Sequence, residues 1–447
     1  MYKTVVIIYK NTINFKIAIL LLTAVSFFLP ERVNAQEKNF TYYDTLTYNM
    51  YLKQDYKNLI KAGNKALNSD IDYYYLRMRM GIAAYNLKQY RLAVSHFKKA
   101  AFFDNNDIVA EYLYYSYVFG GMPLEARQLQ STMSPAMKKK TGAYAKKVLS
   151  INVDIAAMSS IDNIPDDFAI PHTEDGSQII PDNFFNASFG ISHYAGKKAV
   201  VSHIATYLKK NNIRYSFYEN EEYYDPSFNT NQLQYYISTA FSVSEKVNII
   251  LAGQISTASV YEYSERWYQG SNHIVKTTEW YQDFALSASA VKNFTRFSVE
   301  GELSFTRINE TSAFQPSAII RLYPFADLNL YTSSRFSLLS KNGGSTLFQQ
   351  HKIGFKILNH LWLEADYFTG NVSGFTLENS ALLFNGSEEL NNYAGINVIV
   401  PTNKKLSLSA GYQQRVQTNY FIDTENTKSN SLKINYSLFY FSLLWTL

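Results

Sequence analysis

The stretch that decides the fold is Arg296–Thr306, which reads RFSVEGELSFT. Apolar residues alternate along it with polar or charged ones. Successive side chains of a β-strand point to opposite faces, so this strand has one apolar and one polar face. The same alternation recurs from Val148 onward, for instance over Leu149–Ile155 and Leu406–Tyr412. We therefore predict an antiparallel β-domain over residues 148–447.

The connections between the predicted strands alternate in length. Short turns are predicted near Gly196-Lys197, Glu245, Lys292-Asn293, Phe325, Asn359 and Pro401–Lys404. Longer loops are predicted at Ser159–Asp182, Asn220–Asn229, Glu265–Asn272, Asn309–Ser312, Lys341–Gly344, Gly370–Glu388 and Phe421–Thr427. Bacterial outer-membrane barrels show this alternation, with short turns on the periplasmic side. We predict about fourteen strands, and the segment Gly374–Asn385 could add a hairpin inside its loop.

If these strands lie in a lipid bilayer, we expect them to close into a ring. Hydrocarbon offers no partner for backbone N–H and C=O groups, and only a closed barrel pairs all of them. The alternative is a large soluble β-domain. Pro316 lies inside a predicted strand and removes a ladder hydrogen bond, so we expect a bulge or a strand start there.

The composition of the 447 residues narrows the class of protein. A mean hydropathy of −0.21 excludes a protein built from several membrane-spanning helices, and the 16% aromatic content favours strands and lipid–water interfaces. The net charge is +5 without a stripe of Lys and Arg, so we expect no nucleic-acid partner. Without cysteines, disulfides and cysteine-ligated metal sites are excluded.

The N-terminus has the pattern of a secretory signal peptide. An unbroken apolar run, Ile17–Leu29, follows three lysines and precedes Val33-Asn34-Ala35, which offers small residues for cleavage before Gln36. Residues 1–35 are thus predicted to be removed on export from the cytoplasm. The alternative is an uncleaved N-terminal anchor helix.

Residues 36–147 have helical rather than strand periodicity. Two helices are predicted, at Tyr73–Leu87 and Gln89–Phe103. The small and aromatic residues that would pack them together are Gly81, Tyr90, Ala93, Phe97 and Ala100. Their spacing resembles a tetratricopeptide repeat, with weaker units before and after it. This resemblance implies a periplasmic domain that binds a protein partner; the alternative is a spacer that packs on the barrel mouth.

Two further segments frame the barrel. Ser134–Lys147 is predicted to form a last polar, lysine-rich helix leading into it. At the other end, every second residue up to the C-terminus is apolar, at Phe439, Phe441, Leu443, Trp445 and Leu447. This resembles the terminal strand signal that the outer-membrane assembly machinery reads by adding it to a sheet edge.

The polar faces of the strands are expected to line the lumen. Charged candidates on them are Arg296, Glu300, Glu302, Arg321, Arg335, Lys352, Glu364, Asp366 and Arg415. Their mixed signs fit either ion pairs that stiffen the wall or a water-filled path for neutral solutes. Paired carboxylates on one strand face arise on any polar-lined strand, and no catalytic motif is present, so we expect no enzyme, no cofactor and no metal site.

The domain order resembles that of exopolysaccharide export porins and of proteins of the YaiO type, in which tetratricopeptide repeats precede an outer-membrane barrel. That implies a fold of the α + β kind, with a short helical array before an antiparallel transmembrane barrel in outer-membrane lipid. The leading hypothesis is a component of an envelope assembly, secretion or transport complex. The alternative is a channel for polysaccharide or small solutes, and the third is an outer-membrane hydrolase using His203 or His351.

Overall fold

A computed structural model describes residues 39–142, 148–162, 175–196, 199–218, 221–244, 247–268, 271–403, 405–425 and 427–446. The predicted signal peptide and Leu447 lie outside these residues. The chain divides into two compact units, with the division between Asp72 and Tyr73. Among the described residues, no helix is both long enough and apolar enough to cross a bilayer.

The first unit contributes two helices to the described chain, α1 (Phe40–Leu52) and α2 (Tyr56–Asn68). The side chain of Asn39 caps α1 by accepting a hydrogen bond from the Tyr42 amide at 3.0 Å. On α2 the buried residues include Leu59, Ala62 and Ala66, which repeat at helical spacing.

The second unit begins with five helices and continues into the strands. The helices are α3 (Tyr74–Asn86), α4 (Tyr90–Phe103), α5 (Asp107–Phe119), α6 (Pro123–Thr132) and α7 (Pro135–Lys140). We call α3–α7 the helical layer. The two predicted helices agree with α3 and α4 to within a residue, while the predicted last helix is short and ends at Lys140. Residues 143–147 lie outside the described chain.

Close approach of α3 and α4 depends on a glycine. A Cβ at Gly81 would lie 2.5–2.8 Å from ring atoms of Phe97, which is itself fully buried. Ala93 and Ala100 on α4 are also fully buried. Small residues at these positions therefore let the two helices pack at short range, as the sequence pattern predicts.

Sixteen strands lie in the described part of the chain, and fourteen of them form one closed antiparallel barrel. The barrel strands are β1 (Val148–Ser160), β2 (Gly176–Ala195), β3 (Ala199–Tyr218), β4 (Glu221–Ser244), β5 (Val247–Tyr268), β6 (Ser271–Asn293), β7 (Phe297–Ile308), β8 (Thr311–Leu322), β9 (Leu330–Lys341), β10 (Gly344–Leu358), β11 (Leu361–Val372), β14 (Glu389–Pro401), β15 (Leu406–Asp423) and β16 (Lys428–Thr446). Neighbours in sequence pair with each other, and β1 closes the ring on β16, with Ile151 opposite Trp445. The predicted strand count and closure are confirmed.

A short hairpin forms inside the connection between β11 and β14. Its strands are β12 (Phe375–Leu377) and β13 (Leu382–Phe384), and Phe375 lies opposite Phe384. This confirms the hairpin that the sequence allowed within Gly374–Asn385. We call residues 373–388 the hairpin segment.

Five of the predicted long loops are shorter than predicted. Two of them, Asn309–Ser312 and Lys341–Gly344, are turns in which only residues 309–310 and 342–343 separate the strands. The predicted loop Asn220–Asn229 is mostly strand, because β3 ends at Tyr218 and β4 starts at Glu221. The predicted loop Glu265–Asn272 is also mostly strand, because β5 ends at Tyr268 and β6 starts at Ser271. The predicted loop Ser159–Asp182 ends earlier, because β2 starts at Gly176. Charged and polar residues there suggested loops, but the strands β2–β6 have 20–24 residues, about twice the span of a bilayer. Their outer parts therefore need no apolar face.

The expectation of a bulge or a strand start at Pro316 is also wrong. Strand β8 continues through it, and the register to β9 is the same on both sides, at Phe314–Ser340 and at Ser317–Ser337. Only the pairs between them are missing, because Pro316 has no N–H to donate to the ladder.

The barrel is apolar outside and polar inside. Along β7 exposed and buried residues alternate, and the exposed ones are apolar: Leu303 is 55% exposed, whereas Glu300 and Glu302 are each 1% exposed. A soluble β-protein has the reverse arrangement. The outer face is thus suited to hydrocarbon.

Candidate functional site

The inner faces of β7–β11 are filled by packed polar and aromatic side chains, and we call this part of the interior the packed sector. Arg335 and Glu302 form a fork of hydrogen bonds at 3.1–3.2 Å and are 4% and 1% exposed. Next to them Arg321 pairs with Glu300 at 2.8 Å. The first pair joins β7 to β9 across the strand between them, and the second joins the neighbouring strands β7 and β8.

The hairpin segment is folded into the barrel against this sector. Gln315 on β8 makes two hydrogen bonds to the backbone of Thr376, one donated at 2.9 Å and one accepted at 3.2 Å. Phe375 is fully buried, with its ring 5.1 Å from that of Phe348 and 5.7 Å from that of Phe368. The hairpin therefore occupies part of the lumen and does not project from the barrel rim.

The tip of the hairpin carries an unusual backbone. Glu378, Asn379 and Ser380 have φ angles of 53°, 54° and 65°, three consecutive non-glycine residues in the left-handed region. Such residues cost about 1–3 kcal/mol each and persist where the surroundings hold them. Here Ser380 is fully buried and Asn379 donates a hydrogen bond to Glu300 at 3.3 Å. The packed sector supplies the contacts that maintain this conformation.

The base of the hairpin segment is tied to the opposite wall. Glu388 pairs with Lys210 on β3 at 2.7 Å, and Asn385 donates to Asp283 on β6 at 2.7 Å. Burial has the largest single influence on the pKa of Glu388 and raises it, but the charge and hydrogen bond of Lys210, a backbone hydrogen bond and the charge of Arg415 together hold that pKa below its usual range. The segment thus crosses the lumen from the packed sector to β3 and β6.

Between the hairpin segment and β1–β6, β15 and β16 lies a cavity of about 800 Å³, in a part of the interior that we call the open sector. Ligand pockets in proteins commonly have this volume. Five successive inward residues of β3 line it, from Ile204 to Asn212, about 26 Å along the strand at about 3.3 Å per residue. The cavity is therefore elongated along the wall.

Two kinds of wall face each other across this cavity. Met158, Phe184 and Leu438 give the side formed by β1, β2 and β16 an apolar character. The side formed by β3 and β4 is polar and uncharged over most of its length, with Thr206, Thr230, Gln232 and Gln234. Such a lining suits a solute that combines hydroxyl or amide groups with apolar surface.

Several amides on the cavity wall have hydrogen-bonding atoms without a partner in the described chain. They are Oδ1 of Asn212, Nε2 of Gln232 and Oε1 of Gln417, on side chains that are 3%, 4% and 5% exposed. An unpaired buried polar atom costs about 1–3 kcal/mol. These atoms are the groups that a bound polar solute or ordered water would satisfy.

One end of the barrel is bound by the helical layer, chiefly through Arg91 of α4. This guanidinium is 2% exposed and donates to backbone oxygens of Phe294 at 2.8 Å, Thr295 at 3.2 Å and Gly120 at 3.1 Å. It also lies 4.0 Å above the ring of Tyr323. Burial lowers the pKa of Arg91, and Tyr323 and Glu125 oppose that change, so the group stays charged.

Helix α6 extends the same contact across the barrel end. Glu125 accepts hydrogen bonds from Asn248 at 3.0 Å and from Asn293 at 2.7 Å. Arg127 lies 4.0 Å over the ring of Tyr194, beside the turn between β2 and β3. The connection between β8 and β9, predicted as a short turn at Phe325, is Tyr323–Asn329 and accepts the Arg91 amide at Ala326. The helical layer thus contacts residues at or beside four connections on this end.

The register places eight of the nine predicted lumen candidates on strand inner faces: Glu300, Glu302, Arg321, Arg335, Lys352, Glu364, Asp366 and Arg415. Arg296 differs, being exposed in the turn before β7. Residues 294–296 form the tight turn between β6 and β7, in which the Phe294 amide donates to the Phe297 oxygen at 2.8 Å, so the strand starts at Phe297. No local pattern indicated the role of Arg91 or the hairpin contacts, because these contacts join residues about 60 to 200 positions apart.

Other candidates lie on the outer face. Phe439, Phe441, Leu443 and Trp445 point outward on β16, and their role as an assembly signal stays a prediction. His203 and His351 also face outward, where they bond to Tyr235 at 2.7 Å and Ser334 at 3.0 Å. Within the described residues there is no cluster of three or more His, Asp or Glu that could hold a metal ion.

The closed ring and the apolar outer face define the protein as a β-barrel of the type found in bacterial outer membranes. No family model matches the sequence, and no curated protein matches it. The tetratricopeptide assignment therefore stays a prediction.

Among solved structures, the chain is similar to a Pseudomonas aeruginosa FadL homologue, with 9% identity, a TM-score of 0.40, and 71% of this chain and 94% of that one covered. A second is the TodX deltaS2S3 mutant monoaromatic hydrocarbon channel, with 7% identity, a TM-score of 0.39, and coverage of 68% and 92%. A third is the KdgM porin in complex with disordered oligogalacturonate, with 7% identity, a TM-score of 0.29, and coverage of 67% and 99%. The likeness goes no further than the barrel architecture.

Proposed function

We propose that the protein is an outer-membrane channel for a small polar solute, with the helical layer on the periplasmic side. The observation that carries this proposal is the elongated cavity of the open sector, with its buried amides that lack partners. A barrel that served only as an anchor would gain stability by filling that space and pairing those groups. The proposal assigns the chain no enzymatic activity and no cofactor.

In this proposal the hairpin segment restricts passage. It crosses the lumen and is held at its base by the Lys210–Glu388 ion pair, so breaking that pair should free it. The helical layer covers part of the periplasmic end and would shape the exit of the path. A polar, hydroxyl-rich solute such as an oligosaccharide fits the amide and aromatic lining.

The test is conductance of the full-length protein in planar lipid bilayers. We expect stable channels from the wild type and a larger open fraction from Glu388→Gln, which removes the charge that binds Lys210. Glu425→Gln is the matched control, because Glu425 is exposed in the β15–β16 connection. Silent membranes with both the wild type and Glu388→Gln would refute the channel.

A second candidate function is recruitment of a periplasmic protein by the helices, as part of an envelope complex. It is favoured by apolar side chains left open on the helical layer: Phe102 is 82% exposed, Tyr75 63% and Ile108 60%. These residues lie at the ends of α3, α4 and α5 opposite to the end that contains Arg91. A photo-crosslinker at position 102 in intact cells should give one discrete adduct, and the same group at the exposed Glu310 should not; a ladder of products at 102 would reject this function.

A further inference from the structure

Arg415 is a cation in the cavity wall that lacks an anionic partner. It lies on the inner face of β15, and its Nε and Nη2 both donate to one oxygen of Gln413, at 3.1 and 2.8 Å. No carboxylate in the described chain comes within ion-pair distance of it, and its Nη1 has no hydrogen-bond partner there. Arg415 is half-buried in the cavity wall. A guanidinium in such a position normally has a carboxylate or several acceptors, because withdrawing an unpaired charge from water is costly.

The guanidinium is nevertheless held in one position. It lies 5.7 Å from the ring centre of Tyr393 and 6.0 Å from that of Phe384, so aromatic rings bound it on both β14 and the hairpin. Gln413 is fixed in turn, because its amide nitrogen donates to Asp366 at 3.0 Å. Such preorganisation lowers the entropic cost of binding a ligand.

The next inward residue on the same strand has a free amide. Gln417 is 5% exposed, lines the cavity, and makes no side-chain hydrogen bond within the described residues. Inward residues two apart on a strand lie about 7 Å from each other, so one ligand group can reach both. Arg415 and Gln417 together offer charged and neutral donors to the same part of the cavity.

The hairpin segment places a carboxylate on the cavity side, Glu388. Glu388 binds Lys210 at 2.7 Å, and the positive charge of Arg415 also helps to lower its pKa. Two cations thus act on one carboxylate. Two other acidic groups on the wall have donors of their own: Asp283 accepts from Asn309 and Asn385, and Asp154 accepts from Asn152. Glu310 also lines the cavity, but it is exposed at the turn between β7 and β8.

From this arrangement we infer that the cavity recognises a solute bearing a carboxylate or similar small anion, through Arg415 and Lys210. Glu388 is the internal substitute for that anion and holds the hairpin segment in place until a solute displaces it. This inference rests on the proposed channel function and names the class of its substrate. Arg415 and Lys210 are its specificity-determining residues.

The experiment compares gluconate with sorbitol, which have the same carbon chain and differ in one carboxylate. Thermal unfolding of the full-length protein in detergent should shift upward with gluconate and not with sorbitol. The Arg415→Gln variant should weaken the apparent gluconate affinity about tenfold or more, the effect of one charge-assisted hydrogen bond. Lys433→Gln is the matched control, because Lys433 is exposed and does not line the cavity.

A gluconate shift that is equal in Arg415→Gln, or that sorbitol reproduces, would overturn the inference. If Arg415→Gln does not fold, Lys210→Gln tests the same prediction from the other cation. The result is separable from the channel question, because binding is read without a membrane. Conductance without gluconate binding would refute the inference alone, and binding without conductance would refute the channel alone.

Discussion

The packed sector and the open sector have inner faces of the same polar kind, but they differ in which groups are paired. In the packed sector the buried ion pairs are complete, although hydroxyls such as those of Thr306 and Thr376 lack a partner in the described chain. In the packed sector Glu302 and Arg335 form a hydrogen-bonded ion pair, and Gln315 makes two hydrogen bonds to Thr376. In the open sector Asn212, Gln232 and Gln417 keep unpaired atoms. Strands of the packed sector have 12–15 residues and those from β2 to β6 have 20–24.

This difference separates stability from binding within one barrel. Short strands with buried ion pairs hold the hairpin segment and stabilise the ring. Long strands with unpaired groups enclose the cavity of the open sector. The unpaired groups lower the stability of the barrel, as is common at binding sites. Substitutions in the two sectors should therefore change the unfolding free energy by different amounts, and in some cases in opposite directions.

The largest effect is expected from Arg335→Ala in the packed sector. Removing this partner leaves Glu302 charged and 1% exposed, which costs about 3–5 kcal/mol of unfolding free energy. Guanidinium titration of the protein in lipid vesicles measures it. The control is Arg307→Ala, an exposed cation on β7 that should change stability by no more than about 0.5 kcal/mol. Equal effects of the two variants would remove the distinction between the sectors.

The next effect concerns the hairpin segment at the border of the two sectors. Phe375→Ala removes a fully buried ring, and we expect a loss of about 3 kcal/mol together with a larger channel conductance. Leu382→Ala, on a residue that is 49% exposed in the same hairpin, should leave the unfolding free energy nearly unchanged. A destabilised Phe375→Ala protein with unaltered conductance would show that the hairpin does not restrict the path.

A smaller effect is expected where the helical layer meets the barrel. Arg91→Ala removes a buried guanidinium and leaves backbone oxygens of the β6–β7 turn unpaired, costing about 2 kcal/mol. Amide hydrogen exchange should accelerate in α4 and α6 while the barrel strands keep their protection. Lys99→Ala on the exposed side of α4 is the control. Unchanged exchange would mean that other contacts suffice to hold the layer.

The smallest expected effect is a gain, not a loss, of unfolding free energy, and it concerns a residue of the open sector. Gln417→Met replaces a buried amide that has no partner by an apolar side chain of similar size. We expect a gain of about 1 kcal/mol in unfolding free energy, because the cost of the unpaired group is removed. The same titration as for Arg335 measures it, and a loss of stability instead would mean that Gln417 already has a partner.

Much of the fold was predictable from local pattern. Alternation along segments such as Arg296–Thr306 predicted the strands, because strand periodicity acts at short range. The turns and loops between them predicted the number of strands, and the demand for backbone pairing in hydrocarbon predicted the closed ring. Helical spacing with Gly81 and Phe97 predicted α3 and α4, because it too acts at short range. The ends of β3 and β4 were missed, because a strand that leaves the bilayer no longer needs an apolar face.

The candidate site depended on tertiary structure. Alternation placed Arg335, Glu302 and Arg415 on inner faces, but it could not show that two of them pair while Arg415 is left without a carboxylate. Nor could it place the hairpin segment inside the ring or Arg91 on the β6–β7 turn. The sequence by itself determined which faces are polar, and only closure of the barrel, which brings distant strands and connections together, decided which polar groups find partners and which remain open to a solute.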